Sequence, residues 1–193
     1  MSAGKIRFLS FLILVLIALV FAQGTQAAPI TGEVALGCRN CPGGGGGGQL
    51  TQAEIDGLLY MREEEKLARD SYLTLYNRWH LPIFSNIANS EVMHMTRVKD
   101  LLDRYGLPDP AAGKAVGEFT NPVLQQLYDD LMIQGSLSST EALKVGVTIE
   151  EVDIKDLKVY IAATNKTDIK QVYNNLLNAS YNHLSAFNNQ LGP

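Results

Sequence analysis

A glutamate and a histidine stand three residues apart in the segment SEVMHM, residues 90–95. These residues, Glu91 and His94, interrupt an apolar run that otherwise predicts the buried face of a helix. Because residues three apart share a helix face, both side chains can reach one point from successive turns. Carboxylate and imidazole are metal ligands, although a buried hydrogen-bonded pair would have the same spacing.

Three other segments with helical periodicity have the same kind of interruption. Glu65 lies in the middle of the first apolar stripe, Glu150 and Asp153 lie one turn apart in another, and His183 follows Ser180 in the last. Burying a lone carboxylate is costly unless a cation or hydrogen bonds compensate it. A shared metal centre would compensate all of them together, so we predict these ligands: Glu65, Glu91, His94, Glu150, Asp153 and His183.

The ligand types indicate which metal to expect. Carboxylate oxygen and imidazole nitrogen suit iron or manganese, and no cysteine falls in the helical region. Four carboxylates would balance the charge of two divalent ions, so we expect two iron ions, with manganese as the alternative. Within the acidic runs, we expect Glu63, Glu64 and Glu151 to face solvent, because the stripes select Glu65 and Glu150.

Capping residues, glycine and proline predict five helices, four of them long. They are expected to extend from Thr51 to Trp79, Pro82 to Tyr105, Pro122 to Gly135, Thr140 to Thr164 and Asp168 to Leu191. The predicted N-caps include Thr51, Asn121, Ser138 and Thr167. Short turns join the first two and the last two long helices, and one long connection carrying the short helix joins the pairs. This all-α pattern, a four-helix bundle with one long crossover, is the ferritin-like topology.

The first residues are expected to be a targeting segment. Lys5 and Arg7 precede an apolar run at residues 8–22, and small residues follow, which predicts a signal peptide at residues 1–27. An uncleaved anchor, which would place the protein at a membrane, is the alternative. Residues 28–49 are rich in glycine and predict a flexible linker, and residues 50–191 form the domain. We therefore expect a secreted, periplasmic or cell-surface protein.

Composition argues against several other classes of function. The net charge is −4 and no polybasic run exists, which makes nucleic acid a poor candidate partner. Cys38 and Cys41 form a single CxxC pair before a run of glycines, which favours a local disulfide or a free pair over a zinc site. A redox role for this pair is a further hypothesis, but the linker supplies no fold to tune the thiols.

Four segments resemble one ferritin-like family, catalogued as domain of unknown function 2202, across residues 50–191. They are EEEKLARDSY (63–72), SEVMHM (90–95), GVTIEEVDIKDL (146–157) and ASYNHLSAF (179–187). The first is also similar to the first-helix motif of rubrerythrins, which selects Glu65. The resemblance implies Glu65 and Glu150 as single glutamates and Glu91 with His94 as one Glu-x-x-His pair. The last helix departs from this pattern, because Ser180 stands where the second paired glutamate is expected.

Two hypotheses of different classes follow. The first is an exported ferritin-like protein with a di-iron centre and ferroxidase- or peroxidase-type chemistry toward dioxygen or peroxide. The second is a metal-free helical binding or structural module that kept the fold. Ser180 in place of a glutamate is the feature that favours the second hypothesis. A homo-oligomer is compatible with either.

Overall fold

The computed structural model describes residues 49–192, and all regular structure in this range is helical. The five helices are α1 (Gln52–Trp79), α2 (Pro82–Tyr105), α3 (Pro122–Gly135), α4 (Ser139–Ala163) and α5 (Thr167–Leu191). The predicted all-α class is therefore confirmed for the described residues. No helix within residues 49–192 is long and apolar enough to cross a membrane. The proposed signal peptide, almost all of the glycine-rich linker, and Cys38 and Cys41 lie outside the described residues.

Local capping interactions set most helix ends. The predicted N-caps Thr51, Asn121 and Ser138 each accept a hydrogen bond from a backbone N–H in the first turn. The prediction for α5 was wrong, because Thr167 is its first helical residue and Lys166 is the N-cap. No side chain caps the first turn of α5; the Thr164 hydroxyl accepts the backbone N–H of Lys166 at 3.1 Å, just before the helix begins.

The four long helices pack in a closed order. Helix α1 packs against α2 and α4, and α5 packs against α4 and α2. The short helix α3 lies against α1 and α4. At one close approach, Gly146 of α4 meets the ring of Phe187, and a Cβ there would lie 2.5 Å from a ring carbon. Small residues at such points allow the helices to come near each other.

The apolar core consists of two clusters, and every long helix contributes to both. The first core cluster includes Leu67, Tyr72, Phe84, Ala88, Val145, Ile149 and Phe187. The second core cluster includes Leu58, Met61, Val98, Leu101, Leu157, Tyr173 and Leu176. Along each helix the predicted polar ligands fall between residues of the two clusters. The fold thus positions a polar layer inside an otherwise apolar interior.

Charged side chains of α1 form hydrogen bonds with the connection between α2 and α3. Arg62 donates two hydrogen bonds to the carboxylate of Asp109, at 3.0 and 2.9 Å. Buried Lys66 donates to the carbonyl oxygens of Ala115 and Glu118 at 2.7 and 3.0 Å. Glu63 accepts the backbone N–H groups of residues 120 and 121 at 2.5 and 3.0 Å.

The expectation that Glu63 and Glu64 face solvent was wrong, since each is only 3% exposed. The side chain of Glu63 is buried because the connection lies over this part of α1. Glu151, in contrast, is exposed as predicted.

Replacing Asp109 by asparagine tests the Arg62 contact. Burial opposes ionisation of Asp109, but hydrogen bonds from Arg62 and the Ala111 backbone lower its pKa below 3.8. A lowered folded-state pKa stabilises the fold above the ordinary pKa, and this contribution is lost as pH falls through the folded-state value. We expect Asp109→Asn to reduce the free energy of unfolding by about 1 kcal/mol at neutral pH, and the difference to shrink in strong acid. Urea denaturation at several pH values measures the difference in unfolding free energy between wild type and variant, and Asp100→Asn, at an exposed position, is the control. A difference that does not change with pH would contradict the ion-pair explanation.

Candidate metal centre

Five of the six predicted ligands meet in the polar layer. One group of potential ligand atoms within 4.8 Å of one another comes from Glu65, Glu91 and His94, and a second comes from Glu91, Glu150 and His183. Glu91 belongs to both groups. Asp153 belongs to neither, although it is buried on the same face of α4 as Glu150, at 6% exposure.

Glu91 lies between the two imidazole rings. One of its carboxylate oxygens is 2.6 Å from Nδ1 of His94, and the other is 3.0 Å from Nδ1 of His183. Nδ1 of His94 also forms a hydrogen bond with Glu65 at 3.1 Å. The ring centroids are 5.6 Å apart. Both histidines therefore present the same nitrogen to the same carboxylate.

Neighbouring hydroxyl groups hold the candidate ligands in place. The Tyr72 hydroxyl donates to Glu150 at 2.6 Å, and the Ser90 hydroxyl lies 3.2 Å from Nε2 of His183. Such outer partners fix the orientation of ligating side chains. Sequence reasoning missed both roles. Tyr72 shares the stripe of Glu65, but that spacing is explained equally well by core packing, and Ser90 gave no signal beyond its place beside Glu91.

Ser180 supports Asp153. The Ser180 side chain is fully buried, and its hydroxyl hydrogen-bonds to Asp153 and also to the carbonyl oxygen of Leu176 at 2.9 Å. A carboxylate from α4 thus lies beside Ser180, the position on α5 where the resemblance to ferritin-like proteins implies a glutamate.

The electrostatics of the site separate one charged carboxylate from several that favour the neutral form. Burial alone would raise the pKa of Glu91, but hydrogen bonds and charge from His183 and His94 lower it to about 2. Burial raises the pKa of Glu65 to about 8 and that of Glu150 to about 7. Burial, with the charges of Glu65 and Glu150, also raises the pKa of Asp153.

The two histidines favour the charged form. Burial alone would lower the pKa of His94, but Glu65 and Glu91 together raise it to about 11. Glu150 and Glu91 similarly outweigh burial at His183 and raise its pKa to about 9. Protons thus offset the buried acids, which is the task that a bound cation would otherwise perform.

The unsatisfied atoms fit a cation. Among the described residues, two buried carboxylate oxygens at the site have neither a hydrogen-bond partner nor an ion-pair partner: Glu65 Oε1 and Asp153 Oδ1. Glu91 Oε1 and His183 Nδ1 have each other, at 3.0 Å. Buried polar atoms are rarely left unpaired. These two oxygens, together with the carboxylate of Glu91 and the two imidazole rings, form a donor set suited to iron or manganese.

A family described as an uncharacterized protein domain, DUF2202, matches residues 54–192. The chain belongs to this family. This DUF2202 chain is 53% identical over 138 residues to the uncharacterized protein MJ0754 of Methanocaldococcus jannaschii, a match covering 72% of this chain and 75% of the relative.

Solved structures show similarity at two levels. The crystal structure of hypothetical protein MJ0754 matches with a TM-score of 0.74 and 50% identity, covering 77% of this chain and 85% of that chain. A DUF305 fragment from Deinococcus radiodurans matches with a TM-score of 0.56 and 13% identity, covering 75% and 99%. The second likeness concerns the fold alone.

Two tyrosine variants test the contact between Tyr72 and Glu150. Tyr72→Phe removes the donor and leaves a buried carboxyl oxygen unpaired, so we expect it to reduce the free energy of unfolding of metal-free protein by about 1–3 kcal/mol. Tyr173 is equally buried, but its hydroxyl has no partner among the described residues. Tyr173→Phe should therefore be neutral or stabilising. Urea denaturation compares the two, and equal losses would argue against a specific role for the Tyr72 hydroxyl.

Proposed function

We propose that this DUF2202 chain is a ferritin-like protein whose carboxylate/histidine centre binds two iron ions, with manganese as the alternative metal. The observation that carries the proposal is Glu91, buried between two imidazole Nδ1 atoms in a layer where Glu65 and Asp153 each have one unpaired carboxylate oxygen. A purely structural hydrogen-bond network would satisfy those two oxygens within the protein, whereas a metal centre needs them free.

The order of the elements supports the ferritin-like part of the proposal. Short turns join α1 to α2 and α4 to α5, and the connection that carries α3 joins the two pairs. In ferritin-like di-iron proteins two helices each supply a glutamate, and the other two each supply a Glu-x-x-His pair. Here α1 and α4 supply Glu65 and Glu150, α2 supplies Glu91 and His94, and α5 supplies only His183.

Each half of the centre has its own residues. Glu65 and His94 would hold one ion, Glu150 and His183 the other, and Glu91 belongs to both groups. We propose Asp153 as the fourth carboxylate, which brings the acidic charge to that of two divalent ions. Iron held there would supply one-electron chemistry toward dioxygen or peroxide, which is the basis of a ferroxidase- or peroxidase-type activity.

The surrounding residues orient the ligands and limit solvent. Tyr72 and Ser90 position Glu150 and His183 through the contacts described above. The rings of Tyr72, Phe84 and Phe187 pack together on one side, with centroids 5.3 to 6.2 Å apart. The side chains of His94 and His183 are 11% and 12% exposed, so a small oxidant would approach past these two rings.

We also propose that the protein is exported, on the basis of the signal peptide predicted at residues 1–27. A homo-oligomer is compatible with the proposed centre.

Metal analysis tests the proposal with matched variants. We expect full-length protein loaded with iron under anaerobic conditions to retain about two ions per chain, and Glu91→Gln and His94→Asn to lose most of them. Exposed Glu151→Gln and His80→Asn remove the same groups away from the site and should retain wild-type content. Elemental analysis of desalted protein gives the count; unchanged content in Glu91→Gln would reject the proposed ligand set.

Thermal unfolding separates the proposal from the metal-free module that Ser180 favours. A cation bound only to the folded state stabilises it by about 2.7 kcal/mol when its free concentration is 100 times Kd. We expect iron(II) or manganese(II) to raise the Tm of wild type but not of Glu91→Gln. Wild-type protein that retains no metal and shows no shift would instead support the metal-free module.

A further inference from the structure

Glu64 is a buried acid that the central site does not use. It is 3% exposed, and no N–H or hydroxyl group among the described residues donates to either of its oxygens; its carboxyl group instead meets that of another acid, Asp156. Its neighbour Glu63 is equally buried, but both oxygens of Glu63 accept backbone N–H groups. A structural role therefore accounts for Glu63, whereas Glu64 faces only another acid, and a pair of buried acids destabilises a fold unless a proton or a cation lies between them.

The acidic side chains that face Glu64 lie on α4. Tyr60, which lies one turn before Glu64 on α1, forms a hydrogen bond with Asp156, and the carboxyl group of Glu64 is itself within hydrogen-bonding reach of Asp156. Since Asp153 and Asp156 are three residues apart on a helix, they share a face. Asp153 belongs to the polar layer and has an unpaired oxygen, Oδ1. The carboxyl group of Glu64 thus lies among acids that lead toward the centre.

Asp156 extends this series toward solvent. Its side chain is 16% exposed, and Nζ of Lys155, a residue whose own side chain is 58% exposed, lies 3.8 Å from Oδ1 of Asp156. The hydroxyl of Tyr60 donates to the other oxygen at a distance of 3.4 Å. The outer acid is therefore accessible and already attracts a cationic group at the surface.

We propose that Asp156 and Glu64 form a path by which divalent cations move from the surface between α1 and α4 to Asp153 and the central site. The proposal rests on the proposed metal centre and adds how that centre is loaded. Glu64 is in neither group of three converging ligands, so we assign it transient binding. Carboxylates lining a cleft raise local cation concentration and association rates by about tenfold or more, whereas final occupancy is set by the central ligands.

Loading kinetics test the path with cobalt(II), whose visible absorption reports binding without oxidation. Full-length metal-free protein is mixed with limiting cobalt(II) in a stopped-flow instrument, and final cobalt content is measured separately. We expect Glu64→Gln and Asp156→Asn each to slow loading about tenfold and to leave the final content unchanged. Glu151→Gln removes the same charge from the exposed face of α4 and should load at the wild-type rate.

The outcomes distinguish the path from the centre. If both variants load at the wild-type rate to the wild-type content, the path is wrong and the centre stands. If Glu64→Gln lowers the final content, Glu64 is a ligand of the centre and the path is likewise wrong. If wild type takes up no cobalt and also retains no iron, both proposals fail. Asp156→Asn changes a partly exposed side chain, so it decides the question even if Glu64→Gln does not fold.

Discussion

The burial of acids in the middle of the core is the constraint on which the rest of the structure depends. The two apolar clusters could stabilise a helical fold without any polar layer between them, yet each of the four long helices places polar side chains there. Without a cation, the layer depends on two imidazolium rings beside Glu91 and on protons held by the other acids. Replacing such groups with apolar side chains often stabilises a fold, so their presence points to a function.

Helix α1 shows how closely packed acids can have different tasks. Successive residues are rotated by about 100° around a helix axis, so Glu63, Glu64 and Glu65 point in three directions. Glu63 binds the backbone of the connection, Glu64 lies near the acids of α4, and Glu65 reaches His94. All three are buried because α1 is covered by the connection as well as by α2 and α4.

The sequence predicted those features that depend on local patterns. Helix ends followed from capping residues, proline and glycine, and the convergence around Glu91 followed from helical periodicity. The burial of Glu63 could not be predicted, because it depends on the connection before α3, which has no periodic pattern, and that of Glu64 could not be predicted because it depends on how α4 packs against α1. The hydrogen bonds of the Tyr72 and Ser90 hydroxyl groups could not be predicted either, because they depend on the rotation of each helix about its axis and on the side-chain rotamers. The predicted N-cap of α5 was wrong by one residue, because α5 begins without a side-chain cap and Thr167 is already helical.

The pairing of Asp153 with Ser180 bears on how the last helix differs from the ligand pattern of ferritin-like di-iron proteins. A serine is too short to carry a carboxylate into the centre, but its hydroxyl can hold an aspartate that reaches across from α4. In the proposed centre, the acidic charge expected from α5 would come from α4 instead, so charge balance would constrain the site more strongly than the origin of each ligand. Asp153 also lies one turn from Asp156 on α4. Under the two proposals, one side chain would therefore serve both the centre and the path that loads it, which a glutamate at position 180 would not do from α5.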